Sequence, residues 1–213
     1  MRLSRFASIF VAALILSASA ARAQVVHLTT VLSPANEVPP TVSTGTGIAN
    51  VDLNLAAQTL RVNVIFSGLV PTTAAGAPSG TTASHIHCCL PSPLATDMNA
   101  GVATTTPTFP GFPLGVLSGS YDQTFDLTQA STYNPAFVTL QGSLASAEAA
   151  LINGLLNGLT YLNVHTTAFP NGEIRGFLVA AAIPEADSYA MLLAGLGLLG
   201  LVARRREKRA SPA

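Results

Sequence analysis

Two neighbouring stretches, GIANVDLNL (47–55) and TLRVNVIFSGL (59–69), alternate polar and apolar residues with a period of two. Ala49, Val51, Leu53 and Leu55 fall on one side of the first, and Ile48, Asn50, Asp52 and Asn54 on the other. In the second, Leu60, Val62, Val64 and Phe66 oppose Arg61, Asn63 and Ile65. Successive side chains of a strand point to opposite faces, so this pattern belongs to a sheet with one buried face. The link Ala56-Ala57-Gln58 is short enough to join the two as an antiparallel hairpin. Such a hairpin must bury its apolar face against a second layer.

The rest of the chain supplies that layer. VVHLTTVL (25–32), ASHIHCCL (83–90), residues 119–127, TYLNVHT (160–166) and EIRGFLVAA (173–181) read as further strands. Asn171-Gly172 is a hairpin turn signal between the last two. Residues 71–82 and the proline-rich stretch 91–115 read as loops. One helix is expected over 143–159, where Leu144, Ala147, Leu151 and Leu155 keep helical spacing, Ser143 caps and Gly158 stops. Short strands, turn signals and one short helix predict an all-β antiparallel β-sandwich.

Both ends of the chain lie outside that domain. Arg2 and Arg5 precede an apolar stretch from Phe6 to Leu16, and Ala21-Arg22-Ala23 is a small-x-small cleavage site. This predicts a signal peptide over 1–23, inserted as a short apolar helix, with Gln24 beginning the mature chain. At the other end, Pro184 and Glu185 are followed by a charge-free apolar run from Ser188 to Ala203, then by Arg204, Arg205, Arg206, Lys208 and Arg209. An apolar run followed by arginines is held in a membrane with its basic end in the cytoplasm. The run is somewhat shorter than the roughly 20 residues of a stable transmembrane helix. Residues 183–213 resemble the PEP-CTERM tail of Gram-negative bacteria, although Ala186 stands where a second Pro is usual. The resemblance implies transient membrane insertion, removal of the tail by an exosortase after passage through the secretion machinery, and release to the cell surface or extracellular matrix. An ordinary C-terminal anchor is the alternative.

With both ends set aside, residues 24–182 form one domain with a single core. Between Gln24 and Ile183 the only bases are Arg61 and Arg175, against Glu37, Asp52, Asp97, Asp122, Asp126, Glu148 and Glu173, which leaves −5 and no lysine. Affinity for nucleic acid comes largely from Lys and Arg on phosphates, so nucleic acid is excluded as a partner.

Four segments, LSPANEVPP (32–40), FSGL (66–69), SHIH (84–87) and YLNVHTTAFPNGEIRGFL (161–178), together resemble the chordin-type (CHRD) domain in order and spacing. The resemblance implies an immunoglobulin-like sandwich over nearly the whole mature chain. It carries over no activity and no growth-factor partner. The resulting expectation is a non-enzymatic surface or matrix module that binds an envelope protein or an exopolysaccharide.

The chemistry-bearing residues are few. His85 and His87 are two apart on a strand and share a face, as do Tyr161, Asn163 and His165 on another. Glu173 and Arg175 are expected on one face of the partner strand. One reading gathers His85, His87, His165 and Glu173 around Zn or Cu, with Cys89, on the same face by parity, as a further soft ligand. That would make a metal-binding, and with copper a redox-active, protein. His-x-His on a sandwich strand is also similar to copper/zinc superoxide dismutase, but His27 is the only spare histidine for a second metal. The other reading makes Asn163, His165, Glu173 and Arg175 a cross-strand network that holds the terminal hairpin. Cys88 and Cys89 are the only cysteines and are adjacent. They leave four readings open: a vicinal disulfide, a bridge to another chain, metal ligation by Cys89, or buried thiols. No residue set has the setting of a hydrolytic site.

Overall fold

A computed structural model describes residues 25–72, 79–181 and 192–200. The expected signal peptide, and Pro184, Glu185, Arg204, Arg205 and Arg206 of the tail, lie outside the described residues. The chain divides into two compact units, residues 1–181 and 182–213. Within the second, residues 192–200 are helical and exposed. Among the described residues no helix is long and apolar enough to cross a membrane.

The described residues of the first unit form eight strands and two α-helices. The strands are β1 (Val25–Leu32), β2 (Thr46–Asn54), β3 (Thr59–Ser67), β4 (Thr81–His87), β5 (Gly119–Asp126), β6 (Tyr161–Thr166), β7 (Ile174–Phe177) and β8 (Val179–Ala180). The helices are α1 (Pro135–Gln141) and α2 (Leu144–Leu156). Five strands form one antiparallel sheet in the order β5-β3-β2-β1-β8, and three form the other in the order β4-β6-β7.

The alternation of the sequence is the alternation of burial. Ala49, Val51 and Leu53 of β2 and Leu60, Val62 and Val64 of β3 are fully buried, and Asn50, Asp52, Arg61 and Asn63 of the same strands are not. The register Val51↔Val62 and Leu53↔Leu60 sets these side chains opposite one another. Leu55, expected on that face, is 38% exposed because β2 ends at Asn54. From the second sheet Ile86, Leu162, Val164 and Ile174 enter the same core. Tyr121 of β5 stacks on Phe109, and Phe125 meets the same ring at a tilt, within that core.

Three differences from the sequence reading have local causes. The expected last strand is broken in two at Leu178, which is fully buried and bonds its N–H to the Thr160 carbonyl. β7 stays in the three-stranded sheet and β8 crosses to pair with β1. Gly176 allows this corner: a Cβ there would lie 2.6 Å from the Val31 carbonyl oxygen. The second difference is α1, capped by Asn134 with Pro135 at its first position, which the expectation of one helix missed. The third is α2, three residues shorter at its end than expected, with Asn157 as C-cap and Gly158 left-handed beyond it.

Candidate functional site

In β4 and β6 the apolar residues Ile86, Leu162 and Val164 turn into the sandwich, so the intervening residues face outward from the three-stranded sheet. That outward face is polar, yet it is buried. His85 is 6% exposed, His87 8%, Asn163 2% and Arg175 0%, because segments 33–42 and 96–104 fold over it. Cross-strand register fixes the layout: His85 pairs with Asn163, which pairs with Arg175, and His87 pairs with Tyr161, which pairs with Phe177.

Arg175 fastens the two covering segments. Its guanidinium donates to the backbone carbonyls of Asn36, Met98 and Thr96 and to Asn99 Oδ1, and lies over the Tyr161 ring. Its acidic neighbour is Glu37, at 4.0 Å. Glu37 is 4% exposed and its Oε1 has no partner. Burial pushes this carboxyl up to about 7, against the opposing effect of Arg175.

The three expected histidines meet here. The ligand atoms of His85, His87 and His165 all lie within 4.8 Å of one another. His165 Nε2 and His85 Nε2 are 2.9 Å apart. His87 Nδ1 faces the Ala100 carbonyl at 2.8 Å and His165 Nδ1 faces the Pro170 carbonyl at 2.9 Å. A carbonyl only accepts, so both rings carry their proton on Nδ1 and present a lone pair on Nε2. His85 must then carry its proton on Nε2 to meet His165, which leaves His85 Nδ1 and His87 Nε2 buried without partners. Burial is the main cause that drives His85 down to about 3 and His87 down to about 4, and it lowers His165 too. At neutral pH the cluster is three uncharged imidazoles, the form that binds metal.

The other expected site residues are elsewhere. Glu173 does not share a face with Arg175. It precedes β7, after Gly172 at φ +125, and its carboxylate accepts from Ser43 Oγ, Val70 N–H and Thr166 Oγ on the opposite side of the sheet. It is therefore not gathered with the histidines. The Glu173-Arg175 pairing of the expected network is absent, and Glu37 stands in that place. Cys89 also leaves the histidine face, because β4 ends at His87 and the chain turns. Cys88 and Cys89 are joined to each other in a disulfide against α2. A cleft of about 340 Å³, lined by Glu37, Val42, Phe169, Pro170 and Gly172 among others, opens beside Pro170, on the side of His165, the least buried of the three rings.

Sequence reasoning missed Glu37 and Asn99. Glu37 was visible as the one charged residue in LSPANEVPP, a segment whose proximity to β7 no local pattern reports. Three of the four segments that carry the family resemblance meet at this face: 32–40 through Glu37, 84–87 through the histidine pair, and 161–178 through Tyr161, Asn163, His165 and Arg175.

The family model of the CHRD domain matches residues 28–178. The chain belongs to the CHRD-domain family. The PEP-CTERM protein-sorting motif matches residues 182–206, directly after the CHRD domain. Together they describe a CHRD protein exported to the cell envelope and recognised by exosortase. No curated protein and no solved structure matches the chain.

Proposed function

We propose that this CHRD protein is a non-enzymatic envelope protein that holds one transition-metal ion, Zn or Cu, between His85, His87 and His165. The observation that carries the reading is the 2.9 Å approach of two imidazole Nε2 atoms beside a third, buried imidazole whose Nε2 has no partner. Imidazole suits both metals. Metal–nitrogen bonds of about 2.0–2.1 Å place tetrahedral ligand atoms roughly 3.4 Å apart. To reach that spacing the pair at 2.9 Å would open and the third nitrogen, within 4.8 Å, would close. Binding an ion through Nε2 places the His85 proton on Nδ1, the buried atom that has no partner in the ion-free chain. The backbone carbonyls that hold His87 and His165 by Nδ1 are the supporting contacts such ligands need.

The test is the metal content of the full chain, exported to a periplasm and purified without a histidine tag. The expected result is close to one Zn or Cu per chain, lost in the His85→Ala/His87→Ala double variant. A folded chain that carries neither metal, and whose melting temperature is unmoved by added Zn or Cu, overturns the reading.

A second reading has its own support: Arg175 alone, with four acceptors from two segments, holds this face without an ion. It expects His85→Ala to lower stability equally with and without chelator. The tail makes a separate expectation, that mature surface protein ends near Glu185. A peptide containing Arg204–Arg206 in that mature protein would contradict it.

A further inference from the structure

A disulfide between neighbouring residues encloses no chain. The stabilisation that bridges give by restricting the unfolded state grows with the loop they close, so that account does not apply to Cys88–Cys89. What the bridge does shape is a contact. A Cβ added to Gly154 of α2 would lie 2.6 Å from Cys88 Sγ and 2.9 Å from Cys89 Sγ. Both sulfurs also face the Ala150 carbonyl oxygen, at 3.7 and 3.5 Å. The helix backbone is thus flush against the bonded sulfur pair, at the one point where the helix carries no side chain. The same segment is tied to the end of α2 by Leu90 N–H to the Leu159 carbonyl and Leu159 N–H to the Gly154 carbonyl. Breaking the S–S bond moves two sulfurs from bonded to van der Waals separation. The backbone of Gly154 leaves no room for that while α2 stays in place.

We propose that Cys88–Cys89 is a reversible dithiol–disulfide couple, and that its oxidised form is the seat on which α2 docks. The inference stands apart from the metal reading. Cys89 is exposed and Cys88 is 4% exposed, so an attacking thiolate enters at Cys89. The reductant is a dithiol. Its first thiolate bonds to Cys89 Sγ, the S–S bond breaks, and Cys88 Sγ leaves with the electron pair and takes a proton. The second thiol of the reductant displaces Cys89 Sγ, which is protonated in turn. The products are two protein thiols and the disulfide of the reductant, two electrons having passed to the protein.

The test uses the full exported chain, with thiol labelling and hydrogen–deuterium exchange before and after excess dithiothreitol under native conditions. Reduction should expose two labelled thiols per chain and raise exchange across residues 144–158 by about tenfold or more, with the rest of the sandwich unchanged and the effect reversed on reoxidation. The Cys88→Ser/Cys89→Ser variant should show the fast exchange without reductant and no response to it. If that variant does not fold, reduction of the wild-type chain decides alone. A folded chain whose cysteines stay unlabelled in dithiothreitol, or one that is fully reduced with exchange across 144–158 unmoved, overturns the proposal.

Discussion

The Arg175 guanidinium lies 4.5 Å from the centre of the Tyr161 ring. The stack holds the guanidinium plane while its N–H groups reach carbonyls on both covering segments. Arg175→Ala removes a fully buried cation and strands those acceptors together with Glu37. The expected loss is about 3–5 kcal/mol, read from chemical denaturation. Arg175→Lys should recover only a minor part, because an ammonium lacks the planar fork. Full recovery by lysine would refute this account of the two-segment clasp.

Gly172 should not tolerate a side chain. It has φ +125, and a Cβ there would lie 2.7 Å from both Glu37 carboxylate oxygens and 2.8 Å from Asn163 Nδ2. Gly172→Ala is expected to cost about 1–3 kcal/mol for the backbone alone, and more for the contacts. Gly101→Ala meets nothing within 4 Å and is the control. Equal melting temperatures for the two variants would show that the Glu37 side of the site has slack.

The ion-free chain should weaken in mild acid. His85 and His87 are held down to about 3 and about 4 in the fold, and His165 is lowered as well. Unfolded histidines titrate near roughly 6.5 and so take up protons first as pH falls. The stability given by neutral burial is complete above that value and is lost as pH drops from about 6.5 towards 4. Glu37, raised to about 7, acts in the opposite sense and favours the fold as pH falls from 7 to its unfolded value. Three histidines outweigh one carboxyl, so the melting temperature in chelator should fall between pH 7 and pH 5, and Glu37→Gln should steepen the fall. A flat or rising profile would contradict the burial of neutral rings.

Helix α2 should depend on its cap. Ser143 Oγ accepts from Ser146 N–H at 3.1 Å. Ser143→Ala should cost about 1 kcal/mol, measured by denaturant midpoint. Ser143→Asp, which retains the acceptor, should restore it. A midpoint unchanged in the alanine variant would mean that packing of Ala147, Leu151 and Leu155 alone fixes the start of the helix.

How much could be read in advance follows from the range of each interaction. Alternation in β2 and β3 is local, and it correctly placed Val51, Val62, Val64 and Phe66 in the core. The Ser143 cap and the pairing of His85 with His87 on one strand face are equally local. The convergence of His165 with His85 needed the β4–β6 register, which spans 80 residues of chain and is written in no short motif. The error at Glu173 came from extending the parity of β7 one residue beyond its start at Ile174, to the residue that directly follows Gly172 at φ +125. The error at Cys89 had the same origin at the other strand, because β4 ends at His87. α1 was missed although Asn134-Pro135 is a cap followed by a first-turn proline, since a seven-residue helix offers too few periods to show.

The clasp formed by Arg175 orders events in time. A chain exported from its N-terminus delivers Glu37, then His85 and His87, and only much later His165 and Arg175. Segment 96–104 bonds to β4 as soon as both have emerged, through Cys88 N–H to the Gly101 carbonyl and Ala103 N–H to the Ile86 carbonyl. The guanidinium that ties it to segment 33–42 arrives only with the last quarter of the domain. The closed form of this face is therefore reached only on the far side of the membrane, when the end of the domain arrives and folding finishes.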